Sequence, residues 1–254
     1  MGPISPSDIF DRLSRDELAE VQASLMQFRT RACSQQYRVP YQIAQQYLRN
    51  KSKVLDWGCG NGHFSFFLVE TGHDVSAYNF GPPAVAISHL LKQHPAGIRY
   101  SAGDESDPVA IPFESGSMDA VVSMGVLEHV RETGGTEPQS LAEIFRVLKP
   151  GGVFLCFHFP NRYSWIESAT TVFKSRHHHK YRYTRREIEA FAKSAGFTVV
   201  TIRRYNAIPR NVFSSLGFAP GSRALTAAAD FLDTVGTWVL NPFCQNYGFV
   251  LRKP

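Results

Sequence analysis

A chain of 254 residues with 43% hydrophobic and 19% charged residues is long enough for one core, or one core plus a small lobe. Its ordinary composition excludes collagen-like, coiled-coil and largely disordered classes. The net charge of +5 hides an asymmetry, since residues 1–150 carry −4 and residues 151–254 carry +9. No apolar run reaches the roughly 18 residues that span a bilayer; the best, Ala224 to Leu240, is interrupted by Asp230 and Asp233. Met1 to Phe10 lacks a basic region followed by an apolar stretch, so no signal peptide is expected. Cys33, Cys59, Cys156 and Cys244 are scattered, with no metal-ligand spacing, and read as reduced thiols of a cytoplasmic protein.

The first fifty residues read as helical. Ser14 and Glu17 have capping-box spacing, Leu18, Val21, Leu25 and Phe28 follow at helical intervals, and Pro40 opens a second helix through Leu48. From Lys53 the pattern alternates. Strand-type runs at Val54–Asp56, Asp74–Tyr78, Ile98–Ser101, Asp119–Ser123 and Val153–Phe159 are separated for the most part by helical stretches at Phe64–Thr71, Pro83–Gln93 and Pro138–Leu148. Such alternation needs crossover connections and yields a mostly parallel sheet covered on both faces. A helix at Thr184–Ala195, a strand at Thr198–Arg204 and a final strand at Tyr247–Leu251 complete seven strands. The expected organisation is a helical cap over 1–50, an α/β core over 51–205, and a helical insertion plus last strand of the same domain over 206–254.

The most informative segment runs from Val54 to Phe64. An apolar strand ends in Asp56, and Gly58, Gly60 and Gly62 follow at alternate positions before a helix. Glycines there allow a tight turn and let a ligand approach the backbone. The dinucleotide fingerprint has a longer last gap and brings a pyrophosphate to the helix; an acid at the first position repels a pyrophosphate and suits a ligand carrying an ammonium.

This segment resembles motif I of the class I S-adenosylmethionine (SAM) dependent methyltransferases, a Rossmann-like, doubly wound, mostly parallel seven-stranded α/β fold. Gly103-Asp104 and Ser117 to Ser123 resemble the fourth-strand region. Val126-Leu127-Glu128-His129-Val130 and Arg146 to Gly152 are similar to the subgroup that includes the ubiquinone-biosynthesis methyltransferases. The resemblance covers about residues 50–205. It implies that Gly58, Gly60 and Gly62 pass the methionine part of SAM, that Asp56 links directly or through water to its ammonium, and that Asp104 accepts from the adenine amine with Glu105 flanking the ring. Met124 and Gly125 would face the cofactor, and S-adenosylhomocysteine would be the product. One position departs from the pattern: the acid that ends the second strand and holds the ribose is here Asn79. An amide serves both hydroxyls but lacks the charge-assisted bond.

Methyl transfer to a hydroxyl needs a base. His179 and His158 rank together ahead of His129: His158 falls near the carboxyl end of the fifth strand, and the resemblance places a histidine at His179, in the segment that can fold over the site. No metal is expected. Gly125 stands where the ubiquinone O-methyltransferases have a further acid, and the adjacent His177, His178 and His179 are poorly placed to share one ion. The basic stretch Lys174 to Arg186, with Arg182 and Arg185 as candidate substrate ligands, points to an anionic acceptor: a sugar, sugar nucleotide, lipid precursor or phenol, methylated at oxygen. Two alternatives stand beside this. One is an RNA or DNA methyltransferase, which the sequence does not favour for want of a base-flipping motif; the other is a non-catalytic partner subunit with the same fold. Residues 162–186, the N-terminal helices and the insertion Tyr205 to Asn246, with Phe213, Phe218, Phe231, Trp238 and Phe243, are expected to form a lid over the acceptor pocket. Peripheral contact with a membrane stays open, and the oligomeric state is not readable.

Overall fold

The computed structural model describes residues 4–15, 18–172, 179–214 and 219–254. Helices α1 (Pro6–Leu13), α2 (Ala19–Ser24), α3 (Arg31–Ser34) and α4 (Arg38–Tyr47) precede the sheet, with tight 3-10 turns at Met26–Phe28 and Gln35–Tyr37. The core then runs β1 (Lys53–Trp57), α5 (His63–Glu70), β2 (Asp74–Phe80), α6 (Val85–Gln93), β3 (Ile98–Gly103) and β4 (Met118–Met124). A 3-10 segment at Leu127–Glu132 leads into α7 (Glu137–Val147), β5 (Leu148–Pro160), α8 (Trp165–Val172), α9 (Arg185–Ser194) and β6 (Thr198–Tyr205). The insertion holds α10 (Arg223–Val239), and β7 (Asn246–Arg252) closes the sheet.

Strand order is β3-β2-β1-β4-β5-β7-β6. The first four pairings are parallel, while β7 is antiparallel to both β5 and β6. Side chains alternate between two cores, as the twofold strand period requires. Val54, Ala77, Val122 and Leu155 face the N-terminal helices, α5 and α6; Leu55, Tyr78, Val121 and Phe154 face α7 and α9. The chain order reverses between β1 and β4, and ligand crevices of open α/β sheets lie outside the carboxyl strand ends at such a point.

The N-terminal helices and the insertion are stitched into one cap. Arg31 N donates to Pro220 O at 2.7 Å, and Gln36 Nε2 donates to Asn211 Oδ1 at 3.0 Å. The capping box expected at Ser14 includes Glu17, which lies outside the described residues; Ser14 ends α1, and the box that starts that helix is formed by Ser5 and Asp8. The lid aromatics need a larger correction. Phe231, Trp238 and Phe243 are exposed, Phe213 is half-buried, and Phe218 lies outside the described residues. The cause is Arg210, only 2% exposed, which pairs with Asp230 at 2.8 Å and Asp233 at 3.3 Å. A buried cation needs both counter-charges, so the acidic face of α10 turns inward and its apolar face outward.

Candidate active site

After β1 the chain turns through Gly58, Gly60 and Gly62, at φ of 77°, 51° and 83°. The amides of Gly58 and Cys59 both donate to Tyr78 O at 2.9 Å, tying the turn to β2. A Cβ on Gly58 would fall 2.3 Å from Val126, whereas one on Gly60 would meet nothing within 4 Å. The space over Gly60 is therefore open to a ligand approaching the backbone. Asp56 is buried beneath the turn and accepts from Ser65 Oγ at 2.6 Å, and burial pushes its carboxyl up to about 6. It braces the turn against α5.

Register brings the opposite rim together. Asn79 pairs with Ala102 and Phe80 with Gly103, so Asn79, Asp104 and Glu105 share one edge. Asp104 is exposed and accepts from Ser106 N at 2.8 Å and Ser106 Oγ at 2.7 Å, which hold its pKa low. Met124 ends β4 opposite Phe157, and Gly125 follows at φ 70°. The cleft between these edges measures about 280 Å³ and is lined by Trp57, Gly58, Asn79, Phe80, Gly125 and His129 among others. Its mostly apolar walls with Asn79 at one edge suit a nucleoside such as the adenosine of SAM.

Beyond Gly125 lies a cluster of acids and imidazoles. The Glu128 side chain is 1% exposed, neither of its carboxylate oxygens has a hydrogen-bond partner among the described residues, and burial raises it to about 7. His179 places Nε2 3.9 Å from Glu128 Oε1 and Nδ1 3.1 Å from Glu167 Oε1. The His179 amide also donates to Glu167 Oε2 at 3.2 Å, and Gln245 Nε2 donates to Glu167 Oε1 at 3.1 Å. Burial opposes the charge on His179, but Glu167 and Glu128 outweigh it and its pKa is raised. Burial also works against the Glu167 charge, and the His179 and Gln245 contacts hold that carboxyl low. His129 is more exposed, with Nδ1 3.1 Å from Glu132 and Nε2 4.0 Å from Glu128. Donor atoms of Glu128, His129 and His179 lie within 4.8 Å of one another, one short of the four ligands of a structural zinc site but equal to the three protein ligands of a catalytic one.

His158 sits apart from the acids. It occupies an irregularity of β5 at φ 58°, where its amide donates to Tyr205 Oη at 2.7 Å. A positive φ is costly for any residue with a Cβ and persists where surroundings impose it. The ring stacks on Tyr37 at 5.2 Å, and Tyr37 also meets His63 at 4.4 Å. Burial lowers His158 to about 4 and His63 to about 3, so both are neutral near pH 7. Imidazoles this weakly basic make poor proton acceptors.

The two predicted substrate arginines line different clefts. Arg182 lines a cleft of about 400 Å³ with Arg131, Arg162 and Lys180. Arg131 and Lys180 follow His129 and His179 closely in the chain. Arg162 pairs with Glu187 at 3.2 Å and Arg131 with Glu137 at 2.8 Å, while Lys180 and Arg182 have no acidic partner among the described residues. Arg185 pairs with Glu189 at 2.8 Å and lines a different cleft, with Arg203 and Arg204. Lys174, Arg176, His177 and His178 lie outside the described residues.

Sequence reasoning missed Glu167, Gln245, Tyr37 and His63. The one available signal for Glu167 was its spacing from Ser164, whose Oγ accepts from the Glu167 amide at 3.1 Å, and that pattern predicts a helix start rather than a site.

Residues 55–156 match the family model of a methyltransferase domain. A Mycolicibacterium smegmatis protein named "Probable S-adenosylmethionine-dependent methyltransferase" is 30% identical over 147 residues, 58% of this chain and 52% of the relative. Mouse EEF1A lysine methyltransferase 4 is 30% identical over 154 residues, 52% of this chain and 59% of the relative. The chain thus spans somewhat more than half the length of these curated relatives. A solved structure of Haemonchus contortus phosphoethanolamine N-methyltransferase 2 with S-adenosyl-L-methionine superposes with a TM-score of 0.61 at 19% identity, covering 99% of this chain and 60% of the other. By its strand order the chain has the fold of these solved methyltransferases, and over residues 55–156 it matches a methyltransferase domain and is similar to SAM-dependent methyltransferases.

Proposed function

We propose that this protein moves the SAM methyl to a hydroxyl of a small or medium-sized anionic acceptor, such as a sugar, sugar nucleotide, lipid precursor or phenol. One observation carries the reading: His179 places Nδ1 3.1 Å from the buried Glu167 and Nε2 3.9 Å from Glu128, a buried carboxyl with both oxygens unpartnered among the described residues. The glycine turn, Asn79 and Asp104 would hold SAM, which would supply a methyl already activated on a sulfonium. His179 Nε2 takes the hydroxyl proton, and Glu167 fixes the ring and stabilises the imidazolium that results. Glu128, 3.9 Å from Nε2, adds a second carboxyl that favours the imidazolium. Lys180 and Arg182, which line one cleft with Arg131 and Arg162, are the residues proposed to hold the acceptor's anionic group.

A buried carboxylate beside the cofactor cleft also suits an amine, and a lysine methyltransferase is among the relatives. This supports a second reading, methylation of a protein lysine. Incubating the protein with a cell extract and methyl-labelled SAM separates them. Label in a small anionic product supports the first reading, label in protein the second, and label in nucleic acid overturns both.

A further inference from the structure

Helix α10 is amphipathic in the wrong sense for a buried helix. Trp238 is 85% exposed and Phe231 68% exposed, with Leu232, Val235 and Val239 exposed beside them. These positions fall on one side of the helix at intervals of three and four residues. Between Ala224 and Phe243 the only ionisable residues are Asp230 and Asp233, and both turn inward to Arg210. The outer face is therefore apolar and uncharged. Its borders are cationic: Arg223 is exposed at the start of the helix, Arg38 donates to Thr234 Oγ1 at 2.9 Å along its flank, and Arg204 donates to Asn241 Oδ1 at 3.4 Å past its end. From residue 190 onward the chain contains no other acid.

We infer that this face seats the protein on an anionic lipid surface, with Phe231 and Trp238 entering the headgroup–acyl boundary and the flanking arginines meeting lipid phosphates. The charge pattern selects this occupant. An apolar stripe bordered by cations is the arrangement of an interfacial helix on anionic lipid. A second copy docking by the same face would bring like-charged arginines together across a twofold interface. No helix among the described residues is long and apolar enough to cross a membrane, so the contact is with one leaflet. The inference stands on α10 and its flanking arginines and does not depend on the acceptor.

The test is flotation of the full chain with phosphatidylcholine vesicles, with and without phosphatidylglycerol. Binding is expected to the phosphatidylglycerol vesicles, weakening as salt rises and accompanied by a blue shift in tryptophan emission. The double variant Phe231→Ser, Trp238→Ser should lose about tenfold or more of that binding. Its urea midpoint and SAM affinity should stay at wild-type values, because neither side chain is buried or near the glycine turn. Absence of vesicle binding, or binding undiminished in the variant, overturns the inference. So does a wild-type dimer in sedimentation that the variant dissociates, which would assign the face to a second copy.

Discussion

The cleft after β1 and the cluster proposed to face the acceptor are built on different principles. The cleft is made by the backbone: a turn at positive φ after β1, strand ends aligned by parallel register, and an open position over Gly60. The cluster is made by side chains that arrive from distant segments. Glu128 comes from the stretch after β4, Glu167 from α8, His179 from the segment before α9, and Gln245 from just ahead of β7. A backbone-built site tolerates few changes and holds one ligand class. A side-chain-built site can be re-equipped without disturbing the sheet, which is how one fold serves many acceptors.

The sharpest way to break this contrast is Gly60→Val. A branched side chain at φ 51° strains the turn and fills the space that no protein atom occupies, so SAM binding should be abolished while the thermal transition stays cooperative. Calorimetry showing undiminished binding would remove the cofactor assignment.

Next in size is His179→Ala. The turnover number should fall by about 10²–10⁴-fold, the range for loss of a general base, and the loss should ease at high pH for an acidic hydroxyl. In the wild type the rate should rise with pH as His179 loses its proton, with a midpoint above the ordinary imidazole value of 6.5, because Glu167 and Glu128 raise its pKa. Glu167→Gln removes the nearer carboxylate and should shift that midpoint down, a change that a purely structural role would not produce. A chelator should leave these profiles unchanged; activity lost to it and restored by a divalent ion would instead make Glu128, His129 and His179 a metal centre.

Asn79→Asp should tighten SAM binding about fivefold, since a charge-assisted bond contributes more than a neutral one by about 1 kcal/mol. Titration calorimetry decides this, and weaker binding would mean that the edge is shaped around the amide. The smallest effect separates two surface clefts. Arg182→Ala should raise the acceptor KM severalfold with SAM affinity unaltered, whereas Arg185→Ala, in the other cleft, should leave both constants in place. Equal effects of the two would return the basic segment to diffuse surface charge.

Legibility in the sequence follows the same division. The seven strands and the core helices were readable because hydrophobic alternation and helical spacing are local, and the glycine turn because its backbone requirement is written in residue type. The tight turns that cut the N-terminal region into four short helices were not, since tertiary packing sets where a helix breaks. His129, His158 and His179 were readable as candidates but not as distinct chemical states. Burial against Tyr37 lowers His158 and two carboxylates raise His179, and both depend on neighbours far away in the chain.

The amino-acid sequence by itself determined the alternating α/β core, the open turn over Gly60 and the exchange of an acid for Asn79, because each is a constraint on a few consecutive residues. The tertiary structure alone decided which histidine meets acids and which way α10 faces. Asp230 and Asp233 interrupt the most apolar run of the chain, and nothing local says where they point. Arg210, buried by the packing of the insertion against the N-terminal helices, draws both inward, and the aromatic face turns to solvent because an unpaired buried charge would cost more than exposed apolar surface.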